Sequence, residues 1–293
     1  MTRAARRTAA ILRRLVKPRL PSLIRGARAA QEIALRAMPE RRAPFAPQIP
    51  ADWFEAPEGT RDAPTIFFLH GGGFLIGAPP LFRFASGQFM RAGFNVFTPR
   101  YRLAPEYTFP CALDDALVAW TALEKNISGP LLIAGDSAGG GLAVSLMLKL
   151  RDAGVRTPTA AALFSPWTDL AVSGRSAREN EEKDALFTRR SILLGARAVL
   201  GDGRGRDPFA SPVYAELAGL PPFLVHVGED EALRDDSTRL VARACAAGVD
   251  AHIEIWPDAP HAWQLMPFLT EAAESRNKAI TFLRERASNA ARG

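Results

Sequence analysis

Gly135-Asp136-Ser137-Ala138-Gly139 and His70-Gly71-Gly72-Gly73-Phe74 are the segments of this chain whose residue types and spacing suit chemistry. The first sets a serine among small residues, after the apolar run Pro130-Leu131-Leu132-Ile133-Ala134 and before the helix-forming stretch Leu142–Leu150. Strand, glycine-flanked serine and helix form a sharp turn that exposes a nucleophilic hydroxyl, with the positive end of the helix directed at it. By composition alone a G-x-S-x-G occurs in about one chain in ten of this length. A serine capping an ordinary helix is the plainer explanation, so the flanking elements give the match its weight. The second block follows another apolar run, Thr65–Leu69. Its glycines leave backbone N–H groups uncovered, and Gly72 and Gly73, with Ala138 just after the serine, are the candidate donors to an oxyanion. Flexible loops and phosphate cradles use glycines too. Here, however, no G-K-[ST] follows and no G-x-G-x-x-G opens a helix, which argues against a nucleotide site.

A serine nucleophile needs a base, and the chain has 4 histidines. His70 belongs to the glycine block. His226 lies inside the apolar run Phe223–Val227, where a strand would hold it against the sheet, and His252 sits in the alternating stretch Ala251–Trp256. His261 follows the turn-rich Pro257-Asp258-Ala259-Pro260, a loop that can carry an imidazole to a site built by other loops. It is therefore the candidate base. The carboxylate that holds the histidine tautomer is sought in Gly228-Glu229-Asp230-Glu231-Ala232-Leu233-Arg234-Asp235-Asp236, between the other two in chain order. With five acids in nine residues, chemistry alone leaves its position open. Serine, imidazole and carboxylate in this order point to acyl transfer on esters or related compounds.

Strand-like runs at 65–69, 94–98, 131–134, 160–164, 223–227 and 251–256 alternate with helical patterns at 111–125, 138–152, 236–247 and 269–287. That rhythm predicts an α/β fold whose mostly parallel sheet is covered by helices on both faces. Residues 170–207 interrupt it with a charged stretch, a helix around Thr188–Leu200 and Gly201-Asp202-Gly203-Arg204-Gly205, an insertion expected to cap the carboxyl ends of the strands. The expected division is N-terminal cap helices over 1–47, core over 48–169 and 208–293, and cap insertion over 170–207.

Together with Tyr101-Arg102-Leu103-Ala104-Pro105-Glu106, Ser165-Pro166-Trp167-Thr168-Asp169 and Asp207-Pro208-Phe209-Ala210-Ser211-Pro212, these blocks make the chain resemble bacterial esterases of the hormone-sensitive lipase family. The resemblance runs from about residue 50 to the C-terminus. It implies the α/β-hydrolase fold with a helical cap, and it places the nucleophile on Ser137 and the base on His261. The family's acid is usually the first aspartate of D-P-L-R-D. Aligned on Leu233-Arg234-Asp235, that position is Glu231 here, with Asp230 as the alternative. The implied activity is a serine carboxylesterase for short- to medium-chain esters or lactones, using an acyl-enzyme and neither metal nor organic cofactor. Two departures stand out: Arg100 replaces an aspartate that often precedes the tyrosine, and Ala262-Trp263 replaces Gly-Phe, expected to reshape the acyl pocket. Relatives are often dimeric through a strand near the C-terminus, which leaves a homodimer open. A non-catalytic receptor on the same fold and a membrane-peripheral lipase are the alternatives; retention of His261 speaks against the receptor.

The 293 residues, 47% hydrophobic, suffice for one large core. Cys111 and Cys245 are expected to be buried thiols rather than a disulfide, which fits a cytoplasmic protein. No apolar run approaches the length of a membrane helix. Through Arg42 the chain has twelve Lys/Arg against two Glu, a local balance of +10, so within the net charge of +6 the remainder carries −4. That end is Arg-rich like a transit peptide but has no secretory apolar core. Ala5, Ala9, Leu12 and Val16 form one apolar stripe, broken by Pro18 and Pro21. Leu23, Ala27, Ala30, Ala34 and Ala37 form a second, opposite Arg25, Arg28, Glu32 and Arg36. Cap helices are the reading adopted; an arm for membranes or nucleic acid is the alternative. The expected partner is a small ester, with no nucleic acid.

Overall fold

The computed structural model describes residues 2–57 and 62–290. Seven strands form one sheet in the order β1-β3-β2-β4-β5-β6-β7. They are β1 (Ala51–Phe54), β2 (Thr65–Leu69), β3 (Asn95–Pro99), β4 (Leu131–Asp136), β5 (Ala161–Phe164), β6 (Phe223–Gly228) and β7 (Ala251–Trp256). Only the edge strand β1 is antiparallel, pairing Ala51 with Pro99 and Phe54 with Val96; every other pairing is parallel. The helices are α1 (Arg3–Ile11), α2 (Leu20–Ala37), α3 (Arg83–Arg91), α4 (Cys111–Glu124), α5 (Ala138–Asp152), α6 (Ser176–Glu179), α7 (Arg189–Leu200), α8 (Arg234–Ala246) and α9 (Thr270–Ala290).

Successive strand residues point to opposite faces, and both faces are covered. Phe67, Leu69, Phe97, Leu131, Ile133, Leu163 and Val225 pack against α4, α5 and α8. Ile66, Phe68, Val96, Leu132, Ala134 and Phe164 pack against α3 and α9. This two-sided burial is why β2, β4, β5 and β6 read as mostly apolar runs rather than alternating ones. The expected α/β architecture and six of the seven strands therefore hold. β1 escaped because Ala51-Asp52-Trp53-Phe54 carries a charge, which the structure buries at 0% exposure in an ion pair with Arg83 at 2.7 Å.

The N-terminal segment differs from expectation in two ways. Ala5 and Ala9 do face inward, but Pro18 and Pro21 do not break the helical path; a π turn (Leu12–Val16) and a 3-10 turn (Lys17–Arg19) lead directly into α2. Proline is tolerated in a first turn, where its missing N–H has no intrahelical acceptor. In α2, Leu23, Ala27, Ala30 and Ala37 are exposed, and Leu20, Ile24, Arg28, Gln31 and Leu35 turn inward instead. Polar anchors decide this orientation. Arg28 Nη1 donates to Ala104 O at 2.6 Å and its guanidinium pairs with Glu106, while Gln31 Oε1 accepts from Gly77 N at 2.7 Å. Arg36 is exposed; the side chains of Arg25, Glu32 and Ala34 lie outside the description. Cys111 is half-buried and Cys245 exposed, both unpaired, so the expectation of two buried thiols fails. No described helix is long and apolar enough to cross a membrane.

Candidate active site

The turn between β4 and α5 holds Ser137 at φ 52°, ψ −121°. A non-glycine residue reaches this conformation only under tertiary restraint. Ser137 N donates to Phe164 O at 2.8 Å and its own carbonyl accepts from Trp167 N at 2.9 Å, which pins both sides of the strained residue. The glycines make the approach of helix to strand feasible. A Cβ on Gly139 would lie 2.0 Å from Leu69 O, and one on Gly141 would lie 2.0 Å from Trp167 O.

His261 projects from the loop after β7 and Glu231 from the loop after β6. Nε2 of His261 stands 2.8 Å from Ser137 Oγ, and its Nδ1 stands 2.6 Å from Glu231 Oε2. Ser137, Glu231 and His261 are all buried. Burial lowers the basicity of His261, but the charge and hydrogen bond of Glu231 outweigh it, so the imidazole titrates above its ordinary range. Glu231 Oε1 accepts from Gly228 N at 2.6 Å and from Ser165 Oγ at 2.7 Å. Asp230, half-buried, lines a pocket with Arg6, Lys183 and Asp258 that also reaches Glu231 and His261, but the hydrogen bond to His261 Nδ1 comes from Glu231.

The remaining histidines bond other partners, and the hydrogen bond to Ser137 Oγ comes from His261. His70 is buried between Tyr101 and Phe82, with ring centroids 4.3 and 5.0 Å away, and burial lowers its pKa to about 4. His226 hydrogen-bonds Ser275 Oγ at 2.6 Å; burial lowers it to about 4 as well. His252 is exposed beside Asp250, 2.7 Å away.

Gly72 (φ +114°) and Gly73 (φ +65°) turn the first loop over the serine. A Cβ on Gly72 would strike Ile76 O at 2.0 Å, so the backbone approach needs glycine there. The carbonyl of Gly72 accepts from Leu75 N and Ile76 N at 3.0 and 3.1 Å, and none of the described backbone hydrogen bonds uses the Gly72 or Gly73 N–H. Ala138, first residue of α5, has an N–H without an intrahelical acceptor. Asp136, on the other side of Ser137, accepts from Gly71 N at 2.9 Å, and burial raises its pKa to about 7.

These groups open into an apolar cavity of about 310 Å³. Leu20 and Ile24 of α2, Leu186 and Phe187 of the insertion, Ile192 and Gly195 of α7, and Trp167 form its walls. Residues of α2 and of segment 170–207 thus line the same cavity as Ser137. Trp263 does not reshape this cavity as expected. It is fully buried on the far side against Trp256, Leu269 and Ala272, and only Ala262, forced to φ 50°, reaches the pocket wall. Arg100 pairs with Glu40 at 3.1 Å.

Sequence reasoning missed Ser165 and Gly228 as supports of Glu231. Ser165 belonged to a recognisable block, but its contact with the acid depends on a φ of 47° that no local pattern signals. No cluster of three or more His, Cys, Asp or Glu among the described residues could hold a metal ion.

Residues 66–265 match a family described as having the alpha/beta hydrolase fold. The acetyl-hydrolase of Streptomyces hygroscopicus is 37% identical over 238 residues, 80% of this chain and 79% of that one. An esterase of Acinetobacter venetianus is 35% identical over 195 residues, 65% of this chain and 64% of that one. Among solved structures, EstE5 superposes with a TM-score of 0.88 at 33% identity, covering 98% of this chain and 100% of that one. An esterase from the bacterial hormone-sensitive lipase family gives 0.85 at 34%, covering 98% and 99%. The chain belongs to the α/β-hydrolase fold family, within it to the esterases of the bacterial hormone-sensitive lipase type, and is a carboxylic ester hydrolase.

Proposed function

We propose that the chain is a serine carboxylesterase that cleaves short- to medium-chain acyl esters, lactones included, through an acyl-enzyme. The observation that carries this reading is the unbroken hydrogen-bond path from Ser137 Oγ through His261 to Glu231, at 2.8 and 2.6 Å, opening on a cavity with apolar walls. His261 Nε2 takes the Ser137 proton as Oγ attacks the ester carbonyl, and Glu231 holds Nδ1–H and balances the imidazolium. The N–H groups of Gly72, Gly73 and Ala138 receive the tetrahedral oxyanion. His261 then returns the proton to the departing alkoxide, and water repeats the sequence on the acyl-Ser137 to release the acid.

The division of labour follows: 48–169 and 208–293 carry the chemistry, and 1–47 with 170–207 shape the cavity. A cavity of about 310 Å³ favours modest acyl groups over long lipid chains. A cytoplasmic location accords with two free cysteines, and a homodimer would pair along β7, the sheet edge where Ile255 is exposed. Hydrolysis rates for p-nitrophenyl esters from acetate to palmitate, with one lactone and the Ser137→Ala variant, test the proposal. It expects turnover to peak at short or medium chains and to vanish in the variant. Undiminished turnover by Ser137→Ala would overturn it.

A further inference from the structure

We propose that Asp184, with Asn180 beside it, is a positioning residue that locks the Glu231 loop and the His261 ring into one unit, so that the cap insertion sets the geometry of proton transfer as well as roofing the cavity. The inference rests on the roles given to Ser137, His261 and Glu231 above.

Asp184 and Asn180 are 1% and 3% exposed, unusually deep for an aspartate and an asparagine. Their hydrogen bonds explain the burial. Asp184 Oδ2 accepts from Ala232 N, the amide immediately after Glu231, at 2.6 Å. Asp184 Oδ1 accepts from Leu186 N and Phe187 N at 2.6 and 2.7 Å. One carboxylate therefore joins the acid loop to the irregular cap segment that lines the cavity. Phe187 in turn meets the His261 ring edge to face, with centroids 4.8 Å apart. From the same segment Asn180 Nδ2 donates to the carbonyls of Glu229 and Glu231, each at 3.0 Å. The backbone of Glu231 is thus gripped at its own carbonyl and at the next amide, and both grips come from the insertion.

Glu231 gives this grip a purpose. A glutamate reaches the imidazole through one more rotatable bond than an aspartate, and each free torsion spreads the positions of its carboxylate. Fixing the backbone on both sides narrows that spread where a deviation of well under an ångström matters for proton transfer. Lys17, from the N-terminal helices, closes the arrangement by donating to the Asp184 carbonyl at 2.9 Å. Burial lowers the basicity of His261 and Glu231 raises it more; the Asp184 charge adds to the raising, followed by that of Asp136.

Asp184→Asn keeps the shape and can still accept from Leu186 and Phe187, but its amide meets the Ala232 N–H donor to donor. With p-nitrophenyl butyrate and the full-length enzyme, kcat should fall about tenfold or more while KM stays within about twofold. The acid limb of kcat/KM should move to lower pH, because a negative charge near His261 is gone. In a Glu231→Gln background the same change should cost less than about twofold, since the group it positions no longer acts. Should Asp184→Asn not fold, Asn180→Leu carries the test: it removes both donors at similar volume, and should lower kcat by about threefold or more, again only when Glu231 is present. Losses that multiply independently with Glu231→Gln, a change confined to KM, or full activity in a folded variant would each overturn the proposal. Turnover surviving Ser137→Ala would instead refute the reading on which it rests.

Discussion

Replacing Glu231 by glutamine changes one atom and should nearly silence the enzyme, for a reason that can be followed bond by bond. Glu231 Oε1 receives the Gly228 N–H at 2.6 Å and the Ser165 hydroxyl at 2.7 Å, and Oε2 receives His261 Nδ1 at 2.6 Å. A hydroxyl can turn from donor to acceptor, but the Gly228 N–H cannot. The amide oxygen of glutamine must therefore keep the Gly228 side, and its NH2 must face His261. Nδ1 then becomes an acceptor, the ring proton moves to Nε2, and the nitrogen that should take the Ser137 proton is already occupied. Loss of the correct tautomer in a serine–histidine–carboxylate relay costs about 10⁴ in kcat, on the order of 5 kcal/mol of transition-state stabilisation. Steady-state hydrolysis of p-nitrophenyl butyrate measures it, with circular dichroism to establish that the variant folds. Asp230→Asn, whose carboxylate bonds neither His261 nor Ser165, should remain within about threefold of the parent. If Glu231→Gln kept more than a tenth of the activity, or Asp230→Asn lost more, the assignment of the acid and the tautomer argument would both fail.

Other outcomes follow from the same geometry. Because Glu231 holds the His261 pKa above its ordinary value, the acid limb of kcat/KM should lie above pH ~6.5, activity falling as the ring protonates. In Glu231→Gln whatever activity remains should have that limb at lower pH. Asp136 has its pKa raised to about 7 by burial, so the folded state binds a proton that the unfolded state has released above about pH 4. Stability should consequently decline as pH rises from there through 7. Asp136→Asn, which can still accept from Gly71 N, should flatten that slope, to which the buried Asp184 and Asp236 also contribute, and raise the melting temperature at pH ~8. Gly139→Ala would drive a Cβ to 2.0 Å from Leu69 O and 2.4 Å from His70 O. Backbone cannot yield cheaply at both, so the variant should lose on the order of 3 kcal/mol or more, read by denaturant unfolding. Gly195→Val places methyl groups on the cavity wall beside Trp167, and the ratio of hexanoate to acetate hydrolysis should fall.

The parts legible in the sequence are those where local pattern and chemistry coincide. β2, β4 and β6 are buried on both faces and so read as plain apolar runs. The Ser137 turn is legible because its strain and close approach demand glycines at 135 and 139, leaving a mark in residue type. The parts that were not legible depend on distant partners. Asp52 in β1 looks like a loop residue until Arg83 arrives to pair with it. The inward face of α2 was misjudged because Arg28 and Gln31 outcompete alanines for the interior, having backbone groups of another segment to bond. Trp263 looked like a pocket residue by its neighbourhood to His261, yet the left-handed Ala262 turns the chain between them. Five neighbouring acids between β6 and the first turn of α8 are hard to tell apart on paper; what distinguishes Glu231 is its reach to His261, Gly228 and Ser165 in three dimensions.

The central claim is that Ser137 forms the acyl-enzyme with His261 as its base. Rapid quenching after mixing with a p-nitrophenyl ester, followed by intact mass and peptide mapping, addresses it directly. The account predicts a single acyl group on Ser137, accumulating when His261 is kept and absent in both Ser137→Ala and His261→Ala. Acylation of another residue, or normal turnover with Ser137 removed, would contradict it.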